Sequence, residues 1–434
     1  MVIQLDEIKF TPADPRVGIA NFSQYFGQRK LPRSIWQNYY WGGGNASINI
    51  GDKLYVKKSG KYLSTITANG FAEVDVDKIT TGLAKLQGQC KRVLETDYTK
   101  DFSCVDTLDK KVLKLFGEGS VETGFHAKLA GTLDKPRWNM HDHNSLVNGL
   151  LCSKYADFHV DRIFKGDKHI KYMPFIEPGA PLSIRFNQYM DEWRKKDEEP
   201  SVILMGQHGK IQTANSPKEL CELADYVVDK VRAELPRNWL SNAFGIKETP
   251  KESNPRDIAN VIESLKRMYG DDVTIKAFTK HEVVQKMLHS REAVGLIEQG
   301  MPNPDAAVYA GAAPMVVNYV PIYHDGAWEP LKKARRKYVQ KWTVEQPLND
   351  DGSEYVAKLV LVPGLGAFAI GKKDEKGDGD KKCNQIYSSL LDTAHVMAAA
   401  DAFGGMKSLS YKHLYYINNW KAEHRREVIA DKMA

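Results

Sequence analysis

The segment RWNMHDHNSLVNG, residues 137–149, sets two imidazoles, His141 and His143, two residues apart just ahead of an apolar run. Alternate residues of a strand share a face, so a strand here turns both rings to one side and two nitrogens can converge on one ion. The spacing alone fits two ordinary polar histidines as well. Further along, LMGQHGK puts His208 at a strand end against a glycine turn, where a side chain can point into a cleft. Three neutral imidazoles leave at least one coordination position open, as a catalytic divalent ion such as zinc requires. Upstream, GSVETGFH places Glu122 before an apolar helical stretch. A carboxylate near a metal-bound substrate can ligate the ion, abstract a proton, or do each in turn. Asp142, between the two histidines, falls on the opposite strand face and is not read as a ligand.

A second group suits a phosphate. Gly44-Asn45, Ser59-Gly60 and Ser120 lie in turns or at a helix start, where amides and hydroxyls form anion-binding concavities. Lys57 or Lys58 can add charge. The competing reading is that these are turn residues chosen for backbone geometry. Of the twelve histidines, the nine outside the trio have no second ligand at a suitable spacing and are read as surface or packing residues. The insert KKDEKGDGDKK lacks the ligand pattern of a calcium loop and reads as a solvated loop. GLGAFAIG lacks the GxGxxG spacing of a dinucleotide site.

These side chains need elements to carry them. Residues 39–67 read as a Gly-rich turn, a strand, a Gly-Asp hairpin turn and a second strand ending at KKSG. DVDKITTGLAKLQGQ and the run around SVETGFHAKLAG have apolar residues at helical spacing, and NSLVNGLLCSKYADFHVDRIF reads as a helix entered from the HDH strand. HIKYMPFIEPGAPLSIRFNQYMDEW reads as strand, Pro-Gly turn and helix. SVILMGQHGKIQTANSPKELCELADYVVDKVRAEL reads as a buried strand, a glycine hairpin turn, a second strand, and a helix opened by a capping box at Ser216 and Glu219. A polar stretch with Pro250 and Pro255 marks a domain boundary near 245–255, giving domains 1–245 and 256–434. Beyond it come a helix, the strand DVTIKAF, and KHEVVQKMLHSREAVGLIEQG as a helix. LVLVPGLGAFAIG then lays over VILMGQHGKIQTA with Gly366 on Gly209 and Leu365 in place of His208. This is either a degenerate copy of the same strand-turn-strand-helix unit or a coincidence of a common hairpin pattern.

The chain of 434 residues can bury a sizeable core. A net charge of +6, with basic and acidic residues interspersed, is not a nucleic-acid footprint but leaves anionic small substrates open. Five dispersed cysteines with no CxxC pair fit free thiols in a reducing, cytoplasmic setting. No signal peptide and no membrane span is read.

In their order along the chain, GGGNAS, KKSG, GSVETGFH, HDH, MPFIEPGAPL and LMGQHGK resemble the class II aldolase and adducin-head family. That family's pattern is a Gly-Asn-x-Ser turn, a Ser/Thr-Gly turn, a Ser-x-Glu segment, an HxH strand and a His-Gly strand end. EQGMPNPDAAVYAGAAPMVV and LVLVPGLGAFAIG also look like the longer aldolase portion of rhamnulose-1-phosphate aldolase proteins fused to a short-chain dehydrogenase. The resemblance implies a three-layer α/β/α fold with a central, mainly antiparallel sheet and a C-terminal α/β extension. It implies Zn2+ or another divalent ion on His141, His143 and His208, Glu122 as the catalytic acid-base, and Gly44, Asn45, Ser59, Gly60 and Ser120 around a sugar phosphate. The implied reaction is cleavage of a ketose 1-phosphate to dihydroxyacetone phosphate and an aldehyde, by a homo-oligomer, a tetramer on this resemblance. An epimerase, dehydratase or decarboxylase on a related sugar phosphate or sugar acid uses the same groups, and a non-catalytic adducin-like interaction module is a further alternative. The family's proton-donor tyrosine is not recovered, since Val160 follows His159; Tyr155, Tyr172 and the tail YKHLYYINNW are substitutes. Lys210 takes the place of the usual apolar residue after His-Gly; it can reach the site or lie on an exposed face, and the exposed face is the expectation.

Overall fold

The computed structural model describes Leu5, Ile8 and residues 14–28, 44–129, 136–248, 250, 253–320, 326–342 and 357–422. Residues 39–43, which open the glycine-rich turn, lie outside these. The chain divides into two units. One comprises Met1–Leu151, Tyr155–Glu234 and Trp420–Met433, and the other is built from Cys152–Lys154 and Leu235–Asn419.

The first unit begins with α1 (Pro15–Gln28), β1 (Asn45–Ile50), β2 (Lys53–Lys57) and β3 (Phe71–Asp75), then α2 (Val76–Lys85), α3 (Gln87–Glu95), α4 (Ser103–Phe116) and α5 (Thr123–Lys128). Next come β4 (Arg137–Asp142), α6 (Ser145–Leu151), α7 (Ala156–Ile163), β5 (Ile170–Met173) and α8 (Ala180–Arg194). The hairpin β6 (Val202–Met205) and β7 (Gly209–Ala214) and the helix α9 (Pro217–Ala233) complete it. Its seven strands are ordered β3-β2-β1-β4-β7-β6-β5. Every neighbouring pair is antiparallel except β5 with β6.

The middle strand β4 is buried on both sides. Its period of two sends Trp138 and Met140 into an apolar cluster with Phe22 of α1 and Leu220 and Ala224 of α9. Asn139 and His141 go the other way, where Phe125 of α5 sets its edge against the His141 ring at 5.2 Å. On that side Phe125 joins Leu182 and Phe186 of α8, Ile203 and Ile211. A helical layer on each face makes this the three-layer α/β/α arrangement with a mainly antiparallel sheet expected from the sequence. Each fully buried Phe, Leu or Ile contributes about 1.5–3 kcal/mol.

Local signals explain several ends. Gly51, with φ of 61°, makes the β1–β2 turn that a side chain would strain. Ser216 accepts a hydrogen bond from the Glu219 N–H at 3.2 Å, and the Glu219 carboxylate accepts one from the Asn215 N–H. Two expected helices are each broken in two. The helix after β4 stops at Leu151, because Cys152–Lys154 spends its backbone groups elsewhere: Lys154 N–H donates to Gly405 and Lys407 N–H donates to Cys152. The stretch 281–300 is two helices, because Ser290 adopts extended geometry and caps the second through the Ala293 N–H.

The second unit contains α10 (Pro255–Tyr269), β8 (Val273–Phe278), α11 (Glu282–His289), α12 (Arg291–Ile297), α13 (Pro304–Ala310), β9 (Met315–Val316), α14 (Trp328–Trp342), β10 (Leu359–Val362), β11 (Gly366–Lys372), α15 (Asp380–Ala400) and α16 (Tyr411–Asn419). Its sheet is ordered β8-β11-β10-β9. The pairings, antiparallel, antiparallel and parallel, follow the same sequence as β4-β7-β6-β5 in the first unit.

Candidate metal centre

Four side chains meet at the end of β4. His141 is the penultimate residue of that strand, His143 follows it, His208 ends the turn between β6 and β7, and Glu122 immediately precedes α5. One ligand atom from each lies within 4.8 Å of the others. His143 Nε2 is 2.8 Å from His141 Nε2. Glu122 Oε1 is 3.3 Å from His141 Nε2 and 3.8 Å from His208 Nε2.

The frame holds each group from behind. His141 Nδ1 is 2.8 Å from the Lys210 carbonyl; a carbonyl only accepts, so the proton sits on Nδ1 and the Nε2 lone pair faces the cluster. His208 is presented by a turn in which Gln207 adopts φ of 52° and donates its N–H to Leu151 at the end of α6. Gly209 leaves room for the neighbouring ring, since a Cβ there would lie 2.5 Å from His143 Cδ2. Asn45 Nδ2 donates to Ser120 Oγ and, at 3.3 Å, to Glu122 Oε2, and the Glu122 N–H donates to Ser120 Oγ. Asn45 and Ser120 therefore fix the carboxylate.

The electrostatics suit a cation. Burial opposes ionisation of Glu122, but the His141 and His208 imidazoles beside it hold its carboxyl well below the usual range. Burial pushes His208 down to about 4, against the pull of Glu122. Both His208 ring nitrogens are buried and have no hydrogen-bond partner among the described residues, a costly state for a polar group. Three imidazoles and one carboxylate, with lone pairs directed at one another, are a donor set that fits a divalent ion.

The other site residues expected from sequence are placed as follows. Gly44 adopts φ of 74°, and a Cβ there would lie 2.9 Å from the His141 carbonyl, so the chain passes close beneath the cluster. Ser59 and Gly60 form the turn after β2, tied to the Ser120 segment by a bridge from Lys58 to Gly119 and by the Ser120 N–H donating to Lys57. Lys57 is buried with Nζ on the Lys61 carbonyl, and Lys58 pairs with Glu118 at 2.6 Å. Tyr172 packs its hydroxyl beside Gly206 in the His208 turn, whereas Tyr155 is exposed.

One expectation is overturned. Lys210 is not on an exposed face: it is 1% exposed, with Nζ 2.5 Å from Asp142 Oδ2 and 2.7 Å from Gln212 Oε1. The register that pairs Asp142 with Lys210 puts both on the face opposite His141, under α9, where no solvent reaches. His126, one of the nine histidines read as surface or packing residues, is fully buried against Ser47 Oγ at 2.8 Å. Burial, together with His141, brings it down to about 3.

Residues 254–426 match the family model described as "Aldolase class II, second domain". Residues 254–419 of that span belong to the second unit and its last residues to the first; the span does not include the four residues of the His/Glu cluster. Among solved structures, the chain is similar to the N-terminal class II aldolase domain of a conserved protein from Thermoplasma acidophilum, at 19% identity over 54% of this chain and 98% of that one, with a TM-score of 0.38. It is also similar to YgbL from Klebsiella pneumoniae, titled a putative aldolase/epimerase/decarboxylase, at 14% identity over 50% and 86% with a TM-score of 0.31. An aldolase II superfamily protein from Pseudomonas syringae matches at 14% identity over 59% and 95%, with a TM-score of 0.30. No curated protein sequence matches the chain.

Proposed function

We propose that this chain is a metal-dependent aldolase that cleaves a ketose 1-phosphate, of the rhamnulose 1-phosphate type, into dihydroxyacetone phosphate and an aldehyde. The observation that carries the reading is the Glu122 carboxylate set against three imidazoles, all four offering ligand atoms within 4.8 Å of one another. His141, His143 and His208 would hold Zn2+ or another divalent ion, which supplies Lewis-acid stabilisation for oxygen atoms that gain charge as a carbon-carbon bond breaks. Glu122, kept anionic and pinned by Asn45, takes and returns a proton at the carbon that is left with the charge. Gly44, Asn45, Ser59, Gly60 and Ser120 contribute the turn amides and hydroxyls that would receive the phosphate. The reading includes a homo-oligomer, which light scattering would report.

The test is a metal-supplemented screen of ketose 1-phosphates and sugar acids, following release of dihydroxyacetone phosphate, pyruvate or carbon dioxide. Release of dihydroxyacetone phosphate is expected; pyruvate or carbon dioxide in its place would move the reading to another reaction of the same groups. Glu122→Gln is expected to retain metal while losing proton exchange on dihydroxyacetone phosphate by about 10²–10⁴-fold. Exchange at the parental rate would reject Glu122 as the base, and purified protein that takes up no divalent ion would sink the enzyme reading.

A further inference from the structure

The residue between the two candidate ligands, Asp142, is held by a buried charge. Asp142 and Lys210 pair inside the sheet, each 1% exposed. Taking two charges out of water costs several kcal/mol per ion, so a buried pair is weak evidence of a stabilising role.

The second unit supplies an internal comparison. Gly364, with φ of 75°, occupies the turn position of Gln207, and its N–H donates to Leu288 at the end of α11 as that of Gln207 donates to Leu151. Leu365 N–H donates to Val362 as His208 N–H donates to Met205. A Cβ on Gly366 would meet Thr279 Cγ2 at 2.8 Å, as one on Gly209 would meet His143. In the same register, Ala277 opposite Phe368 stands where His141 faces Ile211, and Phe278 opposite Ala367 stands where Asp142 faces Lys210. The frame is thus built twice. Where Ala277, Thr279 and Leu365 replace the three histidines, Phe278 and Ala367 also replace the ion pair, and the hairpin keeps its hydrogen bonds.

We infer that Lys210 and Asp142 are positioning residues for the metal centre rather than supports of the fold. Lys210 grips the ligand segment twice, its carbonyl accepting a hydrogen bond from His141 Nδ1 and its ammonium holding Asp142. Asp142 in turn accepts the Asn144 N–H at 3.2 Å, and Asn144 caps α6 through the N–H groups of Leu146 and Val147. The pair therefore fixes the backbone on both sides of His143, and with it the strand position from which the Lys210 carbonyl meets His141, as outer-shell partners of metal ligands do. This rests on the metal reading above.

The test removes both charges at once, because a single substitution would strand its partner's buried charge. Full-length Asp142→Leu/Lys210→Met is compared with the parent for thermal midpoint and for Zn2+ affinity by chelator competition. A midpoint within a few degrees of the parent's and a zinc affinity weaker by about 10–100-fold are expected. Parental affinity in the double variant overturns the inference. A large fall in midpoint assigns the pair to the fold and also overturns it, unless Asp142→Asn/Lys210→Gln, which keeps polar groups in place without charge, folds normally and shows the same loss of affinity. Failure of the parent to bind Zn2+ would instead remove the metal reading itself.

Discussion

Asp109, on α4, is buried beside Trp420, whose indole N–H donates to Oδ2 at 2.5 Å. Burial pushes its carboxyl up to about 6 despite that hydrogen bond. A carboxyl raised in the folded state holds its proton more tightly there than in the unfolded chain, so its contribution falls as pH rises from about 4 to about 6. It is lost above that window. A shift of two units corresponds to at most about 3 kcal/mol. Asp109→Asn should therefore flatten the stability profile between pH 4 and 6 relative to the parent, measured by urea unfolding. An unchanged slope would show that Asp109 does not carry that dependence.

At the level of elements, the hairpins decide where the site forms. Gly209→Ala should cost about 1–3 kcal/mol by crowding His143 and the Asp142 carbonyl, and should weaken zinc binding as well. Gly366→Ala crowds Thr279 in the other frame and should lower stability alone; calorimetry with and without zinc separates the two. These hairpins were legible in the sequence because glycine turns between apolar runs are local signals, as was the Ser216 capping box. So was the alternation in RWNMHD that turns His141 away from Trp138. The breaks at Cys152–Lys154 and Ser290 were not legible, since apolar periodicity continues across both while the backbone bonds that interrupt them depend on distant partners or a single cap. The burial of Lys210 was hidden for the same reason: its partner lies 68 residues away, and only the β4–β7 register brings the two together.

On the scale of the whole molecule, the two units repeat a frame but not its chemistry. Among the described residues, the His/Glu group in the first unit is the only cluster of that kind. The expected stoichiometry is one divalent ion per chain, measured by elemental analysis after dialysis, and two ions would point to ligands elsewhere. Hydrogen exchange should show zinc-induced protection in β4, α6 and the β6–β7 turn, with β8 and the β10–β11 turn unchanged. Among the described residues no helix is long and apolar enough to cross a membrane.

The two-residue period of β4 also limits how this chain can change length. Ligand and ion pair sit on opposite faces of one central strand, so inserting or deleting a single residue within 137–142 would exchange the two sets, sending His141 under α9 and Asp142 toward Phe125. No compensating change in one partner strand could restore both faces together. A library of single-residue insertions across 137–155 should therefore show β4 and the His143–Asn144 segment after it as a gap in recovered metal-binding clones.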